Sequence, residues 1–170
     1  DRMEERDGRG GFARLAAALS TGKHVADALL IHPIESTWAV YDPNKTWMQD
    51  EKFSRQFADV SDHLLECHID YDYGDESLME KYARVEGDKL MIGQCEYRLV
   101  VLPPIRTIRR NTLRLIEEFV ANGGKVICVG FLPTMLEGVE SDEPAKALAS
   151  LPLVENTFEA IRAAALDAIS

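Results

Sequence analysis

Three short apolar runs, residues 25–31, 99–102 and 125–130, alternate along the chain with stretches whose apolar residues recur at helical spacing. Runs this short cannot cross a bilayer as helices, and they are too uniformly apolar for a sheet with one face in water. They read as strands buried on both faces, which requires a parallel sheet covered by helices front and back. The first run, Val25-Ala26-Asp27-Ala28-Leu29-Leu30-Ile31, stops at His32-Pro33. The second lies within Tyr97-Arg98-Leu99-Val100-Val101-Leu102 and is ended by Pro103-Pro104, which cannot donate to a ladder. The third, from Lys125 to Gly130, follows Gly123-Gly124.

The intervening segments supply the covering helices. Phe12, Leu15, Ala16 and Leu19 form one helical stripe after Gly10-Gly11, and Ser20-Thr21-Gly22 closes it. Phe53, Phe57, Val60 and Leu64 predict a helix over 50–66, followed by a second strand over 67–71. Asp75 is placed to cap a short helix through Tyr82. Residues 84–92 alternate on either side of Gly87-Asp88, the pattern of a hairpin. Leu113, Ile116, Phe119 and Val120 predict a helix over 109–122 with Gly123 as its stop. A helix near 144–151, a fifth strand at Leu153-Val154 and a last helix over 158–169, with Asn156 and Glu159 as a capping box, complete the pattern. The alternation predicts an α/β fold: a three-layer, doubly wound sandwich with a mostly parallel sheet, flavodoxin-like or amidotransferase-like, carrying a small hairpin insertion. In such a sheet ligands sit beyond the carboxyl ends of the strands, here expected to be residues 32–38, 70–76, 103–107 and 130–134.

Charge narrows the partners. The 170 residues carry 19 Lys and Arg against 29 Asp and Glu, a net charge of −10. An acidic surface without a basic stripe cannot release counterions from a phosphate backbone, so nucleic acid is not an expected partner, and neither is a membrane. Cys67, Cys95 and Cys128 form no C-x-x-C pair, which predicts free thiols and a reducing, cytoplasmic setting, with an extracellular one left open. No cofactor is expected. The chain opens Asp1-Arg2-Met3-Glu4-Glu5-Arg6-Asp7 and closes on an uncapped helix, which suggests a segment of a longer polypeptide. On that reading residues 1–22 are a linker and helix from a preceding domain, and 23–170 are the α/β domain.

Candidate site residues fall into two groups, each with a structural alternative. Asp70, Asp72, Asp75 and Glu76 lie beside Tyr71 and Tyr73. Carboxylates accept from paired sugar hydroxyls while aromatic faces cover the pyranose, so the group suits carbohydrate or a divalent cation. Alternatively Asp75 caps a helix, Glu76 complements its dipole, and the other two flank a strand end. His32, Glu35 and Trp38 sit just past the first strand, where a flavodoxin places its phosphate loop, yet no glycine lets the backbone wrap an anion. They form either a polar crevice site or the start of a short helix; Trp38, Tyr41 and Trp47 offer either sugar-facing rings or packing under a long loop. Cys128 stands in Val126-Ile127-Cys128-Val129-Gly130, near an amidotransferase nucleophile elbow in pattern. Position 126 holds Val where the elbow needs Gly, and His24, His32, His63 and His68 all precede Cys128, leaving no later base. A thiol without a base in an apolar strand reads as structural, and no catalytic residue is assigned.

Taken together, Phe12-Ala13-Arg14-Leu15, Ala18-Leu19-Ser20-Thr21-Gly22, Leu29-Leu30-Ile31-His32-Pro33-Ile34-Glu35-Ser36-Thr37-Trp38, Asp70-Tyr71-Asp72-Tyr73-Gly74-Asp75-Glu76, Tyr97-Arg98-Leu99-Val100-Val101-Leu102-Pro103 and Gly123-Gly124-Lys125-Val126 resemble one group of domains. It is the class I glutamine-amidotransferase-like middle domain of large bacterial glycoside-hydrolase-like proteins of the α-L-rhamnosidase type, related to the β-galactosidase trimerisation domain. The resemblance covers about residues 12–131. It implies a noncatalytic accessory domain that follows a catalytic (β/α)8 barrel in the same polypeptide, with carbohydrate and a second copy of the chain as further partners. The family's catalytic acids lie in the barrel. A free-standing sugar or small-molecule binding module is the alternative.

Overall fold

The computed structural model describes the backbone of residues 4–40 and 48–169, and the side chains of 11–39 and 53–169. Five strands, β1 (Ala28–Ile31), β2 (Tyr71–Gly74), β6 (Leu99–Leu102), β8 (Lys125–Val129) and β11 (Leu153–Val154), form one parallel sheet in the order β11-β8-β6-β1-β2. Between β2 and β6 lie β3 (Ala83–Glu86), β4 (Lys89–Ile92) and β5 (Cys95–Tyr97), an antiparallel sheet of its own. A third sheet joins β7 (Thr107–Ile108), β9 (Met135–Leu136) and β10 (Val139–Glu140). The helices are α1 (Glu4–Leu19), α2 (Ile34–Val40), α3 (Met48–Glu66), α4 (Glu76–Tyr82), α5 (Arg110–Ala121), α6 (Glu143–Leu148) and α7 (Phe158–Ile169).

The period-two geometry of a strand sorts its side chains into two cores. Leu29 and Ile31 of β1, Val100 and Leu102 of β6, and Val126 and Cys128 of β8 point to one face, where α4, α5 and α6 supply Met79, Leu113, Ile116, Phe119 and Leu148. Ala28 and Leu30, Leu99 and Val101, and Ile127 and Val129 point to the other, against Val60 and Leu64 of α3 and Ile161 and Ala165 of α7. The fold is therefore the three-layer α/β sandwich that the sequence implies. Its strand order reverses between β1 and β6, which places the crevice at the ends of those two strands.

Several boundaries differ from expectation for identifiable reasons. The second strand is Tyr71–Gly74, not 67–71. His68, at φ 57°, takes the left-handed position of a helix stop, with Ile69 N bonded to Leu64 O and His68 N to Leu65 O. That pair of bonds is a Schellman motif, usually built on glycine, and buried Ile69 packs in the same core as Leu64. The expected strand over 97–102 is divided at Arg98, because Arg98 N and Leu99 N both donate to Asp27 O. The hairpin has Gly87 at φ 60° as anticipated, but a second turn on Gly93, also at φ 60°, adds β5. Helix α1 continues through Gly8, Gly10 and Gly11, since a helical glycine costs about 1 kcal/mol without forbidding the helix. The last helix is entered by Thr157, whose Oγ1 accepts from Ala160 N, while Asn156 instead donates to Gln56 O.

Helix α5 ends by the same device as α3, with Gly123 at φ 93° and Gly124 N bonded to Phe119 O. A Cβ on Gly124 would lie 2.2 Å from two atoms of the fully buried Phe119 ring. Gly124→Ala is therefore expected to overpack the core and cost about 1–3 kcal/mol, read as a lower urea midpoint at unchanged slope.

Candidate functional site

The crevice between the ends of β1 and β6 is bounded by α2, by the turn entering α4 and by the segment leading into α5. Ser36 and Glu76 meet backbone there. Ser36 of α2 is buried; its Oγ accepts from Arg106 N at 2.9 Å and Thr107 N at 3.1 Å, and donates to Thr107 O at 3.2 Å. Glu76, the first residue of α4 and 4% exposed, accepts through Oε2 from Arg109 N at 2.8 Å. Arg109 is the N-cap of α5, so Glu76 places a carboxylate at the positive end of that helix. The Arg109 guanidinium bridges the other carboxylates: Nε and Nη2 reach Glu35 Oε1 at 2.6 and 2.5 Å, and Nη1 reaches Glu80 Oε2 at 3.0 Å.

Burial pushes the Glu76 carboxyl above its ordinary value, opposed by the Arg109 amide. Arg109 is held more firmly protonated, first by its bond to Glu35. Next to Glu76, Asp75 caps α4, accepting from Ser77 N at 2.9 Å, Leu78 N at 3.0 Å and the Ser77 hydroxyl. Its carboxyl is held low by the Ser77 hydroxyl and then by the Leu78 amide. The arrangement joins α2, α4 and α5 through charge-assisted bonds and uses the amides that would otherwise face an anion.

The four-residue displacement of β2 separates the expected acidic group. Asp70 precedes β2, and its carbonyl receives Asp27 N and Ala28 N at the amino end of the sheet, away from the crevice. Asp72 bonds His24 Nε2 at 2.7 Å and Tyr97 OH at 2.9 Å. Tyr71 and Tyr73, one residue out of phase with Asp72, turn to the opposite face, where Ser61 Oγ bonds both phenols, at 2.9 Å for Tyr73. Only Asp75 and Glu76 of the four carboxylates therefore reach the crevice. The expectation that Asp70–Glu76 lies as a unit beyond the carboxyl ends is corrected accordingly.

His32 N donates to Gly74 O, and its ring stands edge-on to Phe57 and Tyr73, at 5.4 and 5.9 Å. Trp38 is 67% exposed; Tyr41 and Trp47 lie outside the described residues. Cys128 is fully buried in the middle of β8, opposite Leu102 and Leu153, and burial pushes its thiol up to about 12. No group of three metal-ligating side chains converges among the described residues. Among them, too, no helix is long and apolar enough to cross a membrane. The contributions of Ser36 and Arg109 were missed in sequence; the only signal for either was its place next to a strand end.

Comparison of the sequence with protein-family models and with curated proteins finds no match.

Two outcomes test this description of the crevice. Ser36→Ala strips the partner from the buried Thr107 amide and is expected to cost about 1–3 kcal/mol in urea unfolding. The two neighbouring carboxyls act oppositely with pH. Glu76, raised in the folded state, contributes stability that is complete below 4.5 and lost as pH rises through its folded value; Asp75, lowered, contributes stability present above 3.8 and lost as pH falls through its folded value. Glu76→Gln should therefore flatten the fall in stability on the alkaline side of 4.5, seen in urea midpoints measured across pH, and leave the acid limb intact.

Proposed function

We propose that this chain is a noncatalytic accessory domain of a bacterial glycoside hydrolase acting in carbohydrate metabolism, similar to the amidotransferase-like middle domain of the α-L-rhamnosidase type. The observation that carries the reading is the state of the crevice. Backbone amides at the sheet's carboxyl edge bind ligand anions in doubly wound domains; here Ser36 and Glu76 already partner those of Arg106, Thr107 and Arg109. Cys128, buried and far from ionisation, has neither the exposure nor the base of a nucleophile.

A second support is α1. Phe12, Leu15 and Leu19 share one face and are 76%, 55% and 76% exposed, a stripe that suits packing against another domain. In this reading the stripe meets a (β/α)8 barrel of the same polypeptide, in a cytoplasmic protein that forms contacts with further copies of itself. Direct sugar binding through Asp72 with Tyr71 and Tyr73 is disfavoured, because these side chains leave opposite faces of β2.

The test is enzymatic. The 170-residue chain should release no nitrophenol from nitrophenyl rhamnosides or galactosides, whereas the polypeptide that also contains the upstream barrel should hydrolyse at least one. Turnover by the isolated chain, abolished by a substitution within it, would refute the reading.

A further inference from the structure

Residues 11–25 are exposed without interruption, so the described side chains of α1, from Gly11 on, lie in solvent, and the helix is joined to the sandwich by the strap 20–27. One end of the strap is fixed at Asp27, whose N donates to Asp70 O at 3.0 Å and whose O accepts from Arg98 N at 3.0 Å and Leu99 N at 3.1 Å. The other end turns at Gly22, φ 114°, with open space where a side chain would be. Between them His24 Nε2 bonds Asp72 Oδ2 at 2.7 Å. The same oxygen accepts from the hydroxyl of Tyr97, a residue only 4% exposed, so the buried phenol fixes the carboxylate before the histidine arrives. Lys23 adds to the field at Glu96, whose carboxyl is held low chiefly by Lys89.

We propose that His24 and Asp72 form a latch that sets the direction of α1 relative to the sheet, with Tyr97 as the residue that positions the Asp72 carboxylate. A free side chain meeting a free carboxylate would lose rotamer freedom on both sides. Here the Tyr97 bond has already ordered one partner, and the latch closes by ordering the other. With His24 58% and Asp72 34% exposed, water screens the pair, and an exposed pair favours its closed form by about two- to five-fold. The closed latch therefore prevails in the free chain yet yields to any stronger contact made by Phe12, Leu15 and Leu19. It acts within this chain, so it stands whether or not α1 continues into a barrel.

Residual dipolar couplings of the ¹⁵N-labelled chain in a weakly aligning medium test the latch directly. In the unaltered chain the α1 amides should follow the alignment of the sheet amides at about two-thirds or more of its full scale. In His24→Ala and Asp72→Ala, which remove the donor and the acceptor, the α1 couplings should fall to about 0.6–0.75 of their unaltered value, while the sheet amides keep theirs. Tyr97→Phe should fall between, and His24→Gln, which retains a donor, should preserve part of the order. Should Asp72→Ala disturb the sandwich, His24→Ala, at an exposed position, decides. Unchanged α1 couplings in His24→Ala, or α1 couplings below about half of the sheet's scale in the unaltered chain, would overturn the latch.

Discussion

Burial of β1, β6 and β8 on both faces is the constraint from which the rest of the structure follows. Leu29, Leu30, Ile31, Leu99, Val100 and Val101 have essentially no exposed surface, and burying a side chain of this size contributes roughly 1.5–3 kcal/mol. Neither face can be left in water, so helices must cross on both sides. Such crossings make adjacent strands parallel and gather the connections that follow them at one end. From β1 the chain winds outward to the edge strand β2 on the α3 face, then returns past β1 to β6, β8 and β11 with α4, α5 and α6 on the other. The crevice between β1 and β6 is a consequence of this winding, not of any residue in it.

What fills the crevice is particular to this chain. An unpartnered amide at the start of a helix is an anion site because its positive end is exposed. Glu76 supplies that anion internally, and its 4% exposure shows that it is enclosed by the surrounding protein. The desolvation this imposes outweighs the opposing bond from the Arg109 amide, so the carboxyl is held above its ordinary value, and Arg109 in turn holds Glu35 and Glu80. An incoming phosphate or carboxylate would have to expel Glu76 and open the contacts among α2, α4 and α5. The crevice is better described as a joint than as a binding cleft.

The fold was legible in sequence because periodicity and helix stops are local signals. The apolar runs of β1, β6 and β8, the Asp75 cap, the Gly87 turn and the Gly123 stop all required only neighbours to read. The candidate site was less legible. The stop at His68 uses a left-handed residue that is not glycine, and missing it displaced β2 by four residues, about 13 Å of strand. That displacement carried Asp70 to the wrong end of the sheet and hid the alternation that parts Asp72 from the tyrosines. The partnerships of Ser36 with Thr107, Glu35 with Arg109 and His24 with Asp72 span 71, 74 and 48 residues, and no local pattern encodes a contact of that separation.

The two ends of the sheet have been given opposite character. At the carboxyl end Ser36, Glu76 and Arg109 are partnered across α2, α4 and α5, and these helices are bound together there. At the amino end Asp72 remains one-third exposed, His24 reaches it from a strap in solvent, and α1 departs with its apolar stripe uncovered. A domain acting on a small ligand needs the reverse: unsatisfied groups where the strands end and a quiet opposite edge. The distribution seen here suits a domain whose outward contacts are made through α1, and it agrees with the accessory role proposed above. It also explains why a modest, exposed hydrogen bond at His24 matters more to such a chain than its small energy suggests. The pair does little for the stability of the sandwich, but it acts on the strap through which α1 and the sheet share an orientation.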